Sequence, residues 1–233
     1  MDAKTARIPN RLKNATAPER ALLLGALAVV SALLSWRLPT PHALVVRDTP
    51  LPPALWFGLV LCTGIALWAS RTALRLLIVL IACFVAWTLA LETTLYVQHS
   101  LKLLVRGIAR PAPAGLEFIL PASTYLWAWC GMIGGLLGSA IVVLVISAVL
   151  PAYRKSGSHW RTILLGTLAG AFLEAIVAPS DDGLPIHFQS LLPVLLVWQV
   201  CVAASIGYDL KPQVAAAVNA GEQDQQSQKR RTA

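Results

Sequence analysis

The chain has 233 residues, of which 57% are hydrophobic and only 13% charged, and its mean hydropathy is +0.67. A soluble domain usually carries about 25% charged residues, so there is too little polar surface here to cover a water-exposed globule. The composition fits an all-α, polytopic integral membrane protein whose helices satisfy their own backbone groups in lipid. The net charge of +8 does not indicate nucleic acid, because the cations stand in short groups between apolar runs, where they act as orientation signals.

Residues 1–15 form a basic segment with Lys4, Arg7, Arg11 and Lys13. A membrane-spanning helix needs roughly 17 to 25 mostly apolar residues, and six segments between 16 and 210 qualify. The first, about 19–37, opens with Thr16-x-x-Glu19 and Pro18, a capping-box start. Basic residues before a moderate apolar core also suit a secretory signal, but no small-x-small cleavage site follows, so the segment is read as a span. The second, about 53–70, lies between Pro52-Pro53 and Arg71, and the third covers about 74–97.

The outer connection that follows holds Lys102, Arg106 and Arg110 on one helical stripe, with Leu101, Leu104, Val105 and Ile108 on the other side. Segment 99–110 therefore either lies in the membrane interface, apolar face down, or prolongs span three. Pro111 and Pro113 end it in both cases. The fourth span, about 122–150, stops at Pro151, and the fifth, about 160–178, stops at Pro179. The sixth, about 188–208, closes near Gly207. The tail 211–233 is Gln- and Ala-rich without an apolar period, which predicts disorder.

Alternating six spans with the N-terminus in the cytosol puts Lys4, Arg7, Arg11, Lys13, Arg20, Arg71, Arg75, Arg154, Lys155, Arg161, Lys211, Lys229, Arg230 and Arg231 inside. Only Arg37, Arg47, Lys102, Arg106 and Arg110 of the 19 cations fall outside. This asymmetry predicts a bacterial inner-membrane protein with both termini cytosolic. Trp36, Trp56, Trp68, Trp127, Trp129 and Trp160 sit near span ends, as an interfacial belt requires. Cys62, Cys83, Cys130 and Cys201 lie inside apolar runs without a C-x-x-C pair and read as small buried hydrophobes.

Two acids stand inside spans. In span five, Gly166, Gly170, Glu174 and Ala178 recur every four residues, so Glu174 shares a face with the smallest residues, the kind that lets helices approach closely. Gly131, Gly134, Gly135 and Gly138 of span four offer a matching surface. In span three, Thr88, Glu92, Tyr96 and His99 form a polar stripe. Glu92 lies ~25 Å of helical rise from Arg75, and Glu174 ~20 Å from Arg161. Both acids are thus expected in the outer half of the bilayer, below Asp181, Asp182 and His187. Asp181-Asp182-Gly183 also has the composition of a turn, and Gln199 is expected to bridge helices.

Intramembrane charges are costly and are functional candidates. The leading expectation is transport of a small solute or ion, with Glu92 and Glu174 as ligand- or proton-binding groups, because desolvation favours neutral carboxyls that can exchange protons. The alternative is a non-catalytic membrane subunit or scaffold, bound to a partner protein or to further copies of itself. A third reading is an enzyme acting on a lipid at the outer interface through His99, His187, Asp181 and Asp182. No G-x-S-x-G, H-E-x-x-H or P-loop pattern occurs, and no metal or cofactor is expected.

Overall fold

The computed structural model describes residues 12, 14–37, 45–46, 49–69, 72–108, 122–154, 159–176 and 192–210. The element order is α1 (Ala17–Arg37), β1 (Val45–Val46), β2 (Thr49–Pro50), α2 (Pro52–Trp68), α3 (Ala73–Ile108), α4 (Ala122–Val149), the single turn α5 (Pro151–Arg154), α6 (His159–Ile176) and α7 (Leu192–Asp209). Apart from the two-residue antiparallel ladder that pairs Val45 with Pro50 and Val46 with Thr49, every described element is helical.

Local chemistry accounts for the boundaries. Glu19 accepts hydrogen bonds from the Thr16 backbone N–H at 2.7 Å and from its hydroxyl at 2.9 Å, which ties the free donors at the start of α1. Pro52 and Pro53 open α2 where no intrahelical N–H is needed. Pro151 cannot extend the α4 ladder. It begins α5, in which the N–H groups of Tyr153 and Arg154 donate to the Leu150 carbonyl.

Among the described residues, three helices are long and apolar enough to cross a membrane: Ala17–Ser35 of α1, Ala73–Val97 of α3 and Ala128–Val149 of α4. Pro52–Trp68 and Leu195–Asp209 are apolar but shorter, and α6 carries Arg161 and Glu174 within its 18 residues. α3 continues without a break to Ile108, 36 residues in all, so the backbone of 99–108 prolongs span three. At ~1.5 Å per residue this is ~54 Å, well beyond a hydrocarbon core of ~30 Å. The side chains of 101–108 and the tail 211–233 lie outside the described residues.

Neighbouring helices run antiparallel throughout. Gly64 meets Leu24, Gly58 meets Cys83, Thr94 meets Gly134, Gly170 meets Gly131, and Gly166 meets Val202. α7 then returns along α1, with Gly207 against Arg20 and Gly25 against Ala204. The buried core, including Leu24, Phe57, Leu61, Ile65, Val142, Ile146 and Ile206, fills the end of the bundle where α1 starts and α7 finishes. Outside it, Leu22, Leu74, Ile81, Leu89, Leu136, Leu144, Leu164 and Leu168 are each 45% or more exposed, an apolar exterior suited to lipid.

The closest approach is α4 against α6. A Cβ on Gly170 would run into the Gly131 carbonyl oxygen, and one on Gly135 into that of Gly166. Only hydrogen fits at those places. The other glycines of α4 face elsewhere: Gly134 abuts Thr94 of α3, and Gly138 lies between Ala90 of α3 and Trp198 of α7. Gly25 differs, since a methyl there would meet Ala204 at an ordinary 3.6 Å. Gly170→Ala is therefore expected to destabilise the detergent-solubilised protein by about 1–3 kcal/mol through forced backbone separation. Gly25→Ala should leave stability unchanged or raise it by up to ~1 kcal/mol through helix propensity. Thermal melts of the two variants against the parent check the contrast.

Candidate functional site

Two features stand at opposite ends of the seam between α6 and α7. The first is a cavity of ≈ 70 Å³ lined by Trp87, Ala90, Leu91 and Thr94 of α3, Gly131, Gly134 and Gly135 of α4, Gly170 of α6, and Leu195 and Trp198 of α7. The glycines create it: where α4 and α6 carry no side chains, neighbouring groups leave space. Its wall is almost entirely apolar. The Thr94 hydroxyl is engaged with the Ala90 carbonyl at 2.7 Å, whereas the Trp198 indole N–H is buried without a hydrogen-bond acceptor among the described residues. Trp198 is held by Phe57, whose ring lies 5.3 Å from its own.

The second feature is a polar network at the other end, where the start of α1, the α5 turn, the start of α6 and the end of α7 converge. Arg161 Nη2 donates to Asp209 Oδ1 at 2.7 Å. The hydroxyls of Thr162 and Ser205 share a hydrogen bond of 2.7 Å, and Tyr153 stands 3.5 Å from Thr162. Arg20 donates to the Gly207 carbonyl at 3.3 Å and also to that of Ala15. The Arg161 guanidinium rests 4.6 Å above the Tyr208 ring, and the His159 ring lies 5.3 Å from that of Tyr153. The Asp209 side chain is only 7% exposed, and its Oδ2 has no hydrogen-bond partner among the described residues. Between network and cavity lies a closed layer of small groups, with Ser139 fully buried against Gly166 and Gly166 against Val202.

Of the sequence-derived site residues, Glu92 is half-buried on α3, while Tyr96 and His99 of the same stripe are exposed. Glu92 does not line the cavity: two positions from Thr94, it is turned about 200° round the helix. Glu174 occupies the last turn of α6, one turn beyond Gly170, and its side chain lies outside the described residues, as do Asp181, Asp182 and His187. Gly131, Gly134, Gly135, Gly138, Gly166 and Gly170 all stand at helix contacts. Gln199 accepts a hydrogen bond from Ser31 at 2.9 Å and joins α7 to α1. Trp68 is buried, and its indole N–H donates to the Leu12 carbonyl at 2.7 Å. Trp129 and Trp160 remain 60% and 77% exposed near span ends. Among the described residues no group of three His, Cys, Asp or Glu side chains could hold a metal ion.

Sequence reasoning missed Asp209. A signal was present: an acid in the last turn of a helix faces the negative end of its dipole and therefore calls for a cation. Arg161, at the start of the antiparallel neighbour, supplies one.

Burial pushes the Tyr153 hydroxyl up to about 12, with the Thr162 hydrogen bond opposing only part of the shift. An unfolded tyrosine ionises near pH 10, so the native state keeps a proton that the unfolded chain has released. The resulting stability is complete below about pH 10 and is lost as pH rises towards 12. Alkaline melts should show this loss in the parent and a shallower one in Tyr153→Phe.

The sequence matches no known family model, and no curated protein or solved structure gives a match.

Proposed function

We propose that this protein is a six-span transporter of the bacterial inner membrane, with both termini cytosolic, and that it moves a small solute or ion along the seam between α6 and α7. The observation that carries the reading is the cavity at the α3–α4–α6–α7 junction, with Glu174 one turn beyond its Gly170 wall. A protonatable residue one helical turn from an apolar cleft can couple proton release to movement of a solute. Six alternating spans would bring the start of α1 and the end of α7 to one side, and the bias of basic residues favours the cytosol for that side.

Glu92 has a different place in this reading. Because it faces away from the cleft, Glu174 alone is the coupling group, and Glu92 belongs to the outer polar stripe of α3. The test is proton flux into proteoliposomes during a screen of small solutes. A solute that drives flux in the parent should drive at least tenfold less in Glu174→Gln, with Glu92→Gln close to the parent. Equal flux in the parent and Glu174→Gln rejects the assignment.

The length of α3 favours a second reading, a membrane subunit that docks a partner on the helix projecting beyond the bilayer. Under it, shortening α3 after Ser100 abolishes co-purification of a stoichiometric partner, and no solute drives flux.

A further inference from the structure

α6 divides into two faces. Thr162, Gly166, Ala169 and Gly170 turn into the bundle, whereas Trp160, Arg161, Leu164 and Leu168 are exposed. Spaced by three and four residues, the exposed four fall within about 100° of the helix wheel. Trp160 and Arg161 occupy the first turn. Leu164 and Leu168, each more than half exposed, continue the face for ~10 Å beyond Arg161. An indole, a cation and an apolar strip in that order match the headgroup and upper acyl chain of a phospholipid.

Arg161 is prepared for an anion. Its Nη2 donates to Asp209 at 2.7 Å and its guanidinium carbon lies 4.6 Å above the Tyr208 ring, while 41% of the side chain stays exposed. Two contacts thus fix the guanidinium, and little freedom remains to be lost on binding. A guanidinium carries five N–H donors, and the Asp209 bond uses one of them. Tyr208 is exposed as well and borders the same face from α7.

We propose that the outer face of α6 binds an anionic phospholipid, its phosphate at Arg161, Trp160 at the level of the headgroup and an acyl chain along Leu164 and Leu168. The binding depends on the membrane setting and is independent of transport. Charge favours an anionic lipid over a zwitterionic one. Among the described residues near this end, Arg20, Arg75, Arg154 and Arg161 outnumber Glu19 and Asp209. His159 Nε2 meets the Arg154 carbonyl at 2.9 Å, which keeps the exposed Arg154 beside the start of α6. A protein helix laid on this face has to cover Arg161 and supply it with a second acid, whereas a phospholipid brings its anion at the level of the indole.

The test is native mass spectrometry of the detergent-solubilised full chain, titrated with phosphatidylglycerol or with phosphatidylcholine of the same acyl chains. The parent should bind one phosphatidylglycerol about fivefold more tightly, the scale of one cation at an anionic surface. Asp209→Asn frees Arg161 from its carboxylate and should keep or strengthen that preference. Adding Arg161→Gln to Asp209→Asn should bring the preference close to unity. Both variants lack the ion pair, so its structural loss cancels between them. Should the Asp209→Asn background fail to fold, Arg161→Lys and Arg161→Gln in the parent take its place, the first keeping the preference and the second losing it. Equal binding of the two lipids by the parent overturns the site, as does a preference that survives the loss of Arg161. Displacement of the lipid by an equal concentration of glycerol phosphate assigns the site to a soluble anion and overturns it too. So does a stable dimer or a co-purified protein that excludes the lipid.

Discussion

The constraint on which the rest of the structure depends is an apolar exterior that leaves hydroxyls, amides and charges no solvent except one another. The described hydroxyls show how it is met. Ser35, Thr63, Thr94, Ser139, Ser147 and Thr167 each donate to the carbonyl four residues earlier in their own helix, so they need nothing from outside it. Other buried polar groups pair between helices, as Ser31 does with Gln199 and Thr162 with Ser205. At one end the charged side chains of Arg20, Arg161 and Asp209 meet. In such surroundings helices gain little by hiding apolar surface from one another, and van der Waals fit sets the packing. The Gly131–Gly135 and Gly166–Gly170 contact follows from that.

The same contact explains why the bundle has a cavity. Bringing α4 and α6 to backbone distance removes side-chain volume from both, and the large rings of Trp87 and Trp198 bridge the resulting gap without filling it. Larger residues at Gly134, Gly135 or Gly170 would close the space and push the helices apart in one step. Packing and the candidate site are therefore two consequences of one small-residue face. The polar network is separated from the cavity by about 14 Å along α6, from Arg161 to Gly170, a span occupied by Ser139, Gly166 and Val202.

Much of this was legible in the sequence. Hydropathy alone separates the helices, and prolines at 52, 53 and 151 mark boundaries that the backbone respects within a few residues. The four-residue repeat of Gly166 and Gly170 announces a close contact and the glycines of α4 offer a matching surface, but the pattern does not divide those glycines between α6, α3 and α7. That division depends on the rotation of each helix, which composition does not encode. Arg161 read only as an orientation charge, and Asp209 went unread because its meaning arises from a neighbour 48 positions away. Trp68 read as an interfacial residue because its position near a span end is the same whether the ring turns outward or, as here, inward to Leu12. The continuity of α3 through Ser100 could not be read either, since the amphipathic stripe of 99–110 is equally at home on a separate helix.

The transport path requires six helices to cross a bilayer in alternation, with the Arg161–Asp209 end facing the cytosol. Ala152, on the exposed side of α5, and Ser100, exposed on the far part of α3, are the informative positions. Single cysteines placed there in a cysteine-free chain, and treated in whole cells with an impermeant thiol reagent, report the face directly. Labelling of Ser100→Cys from outside, with Ala152→Cys reacting only after the membrane is opened, is the predicted result. Reaction of both from the same side would contradict the alternation, and with it the proposed transport path.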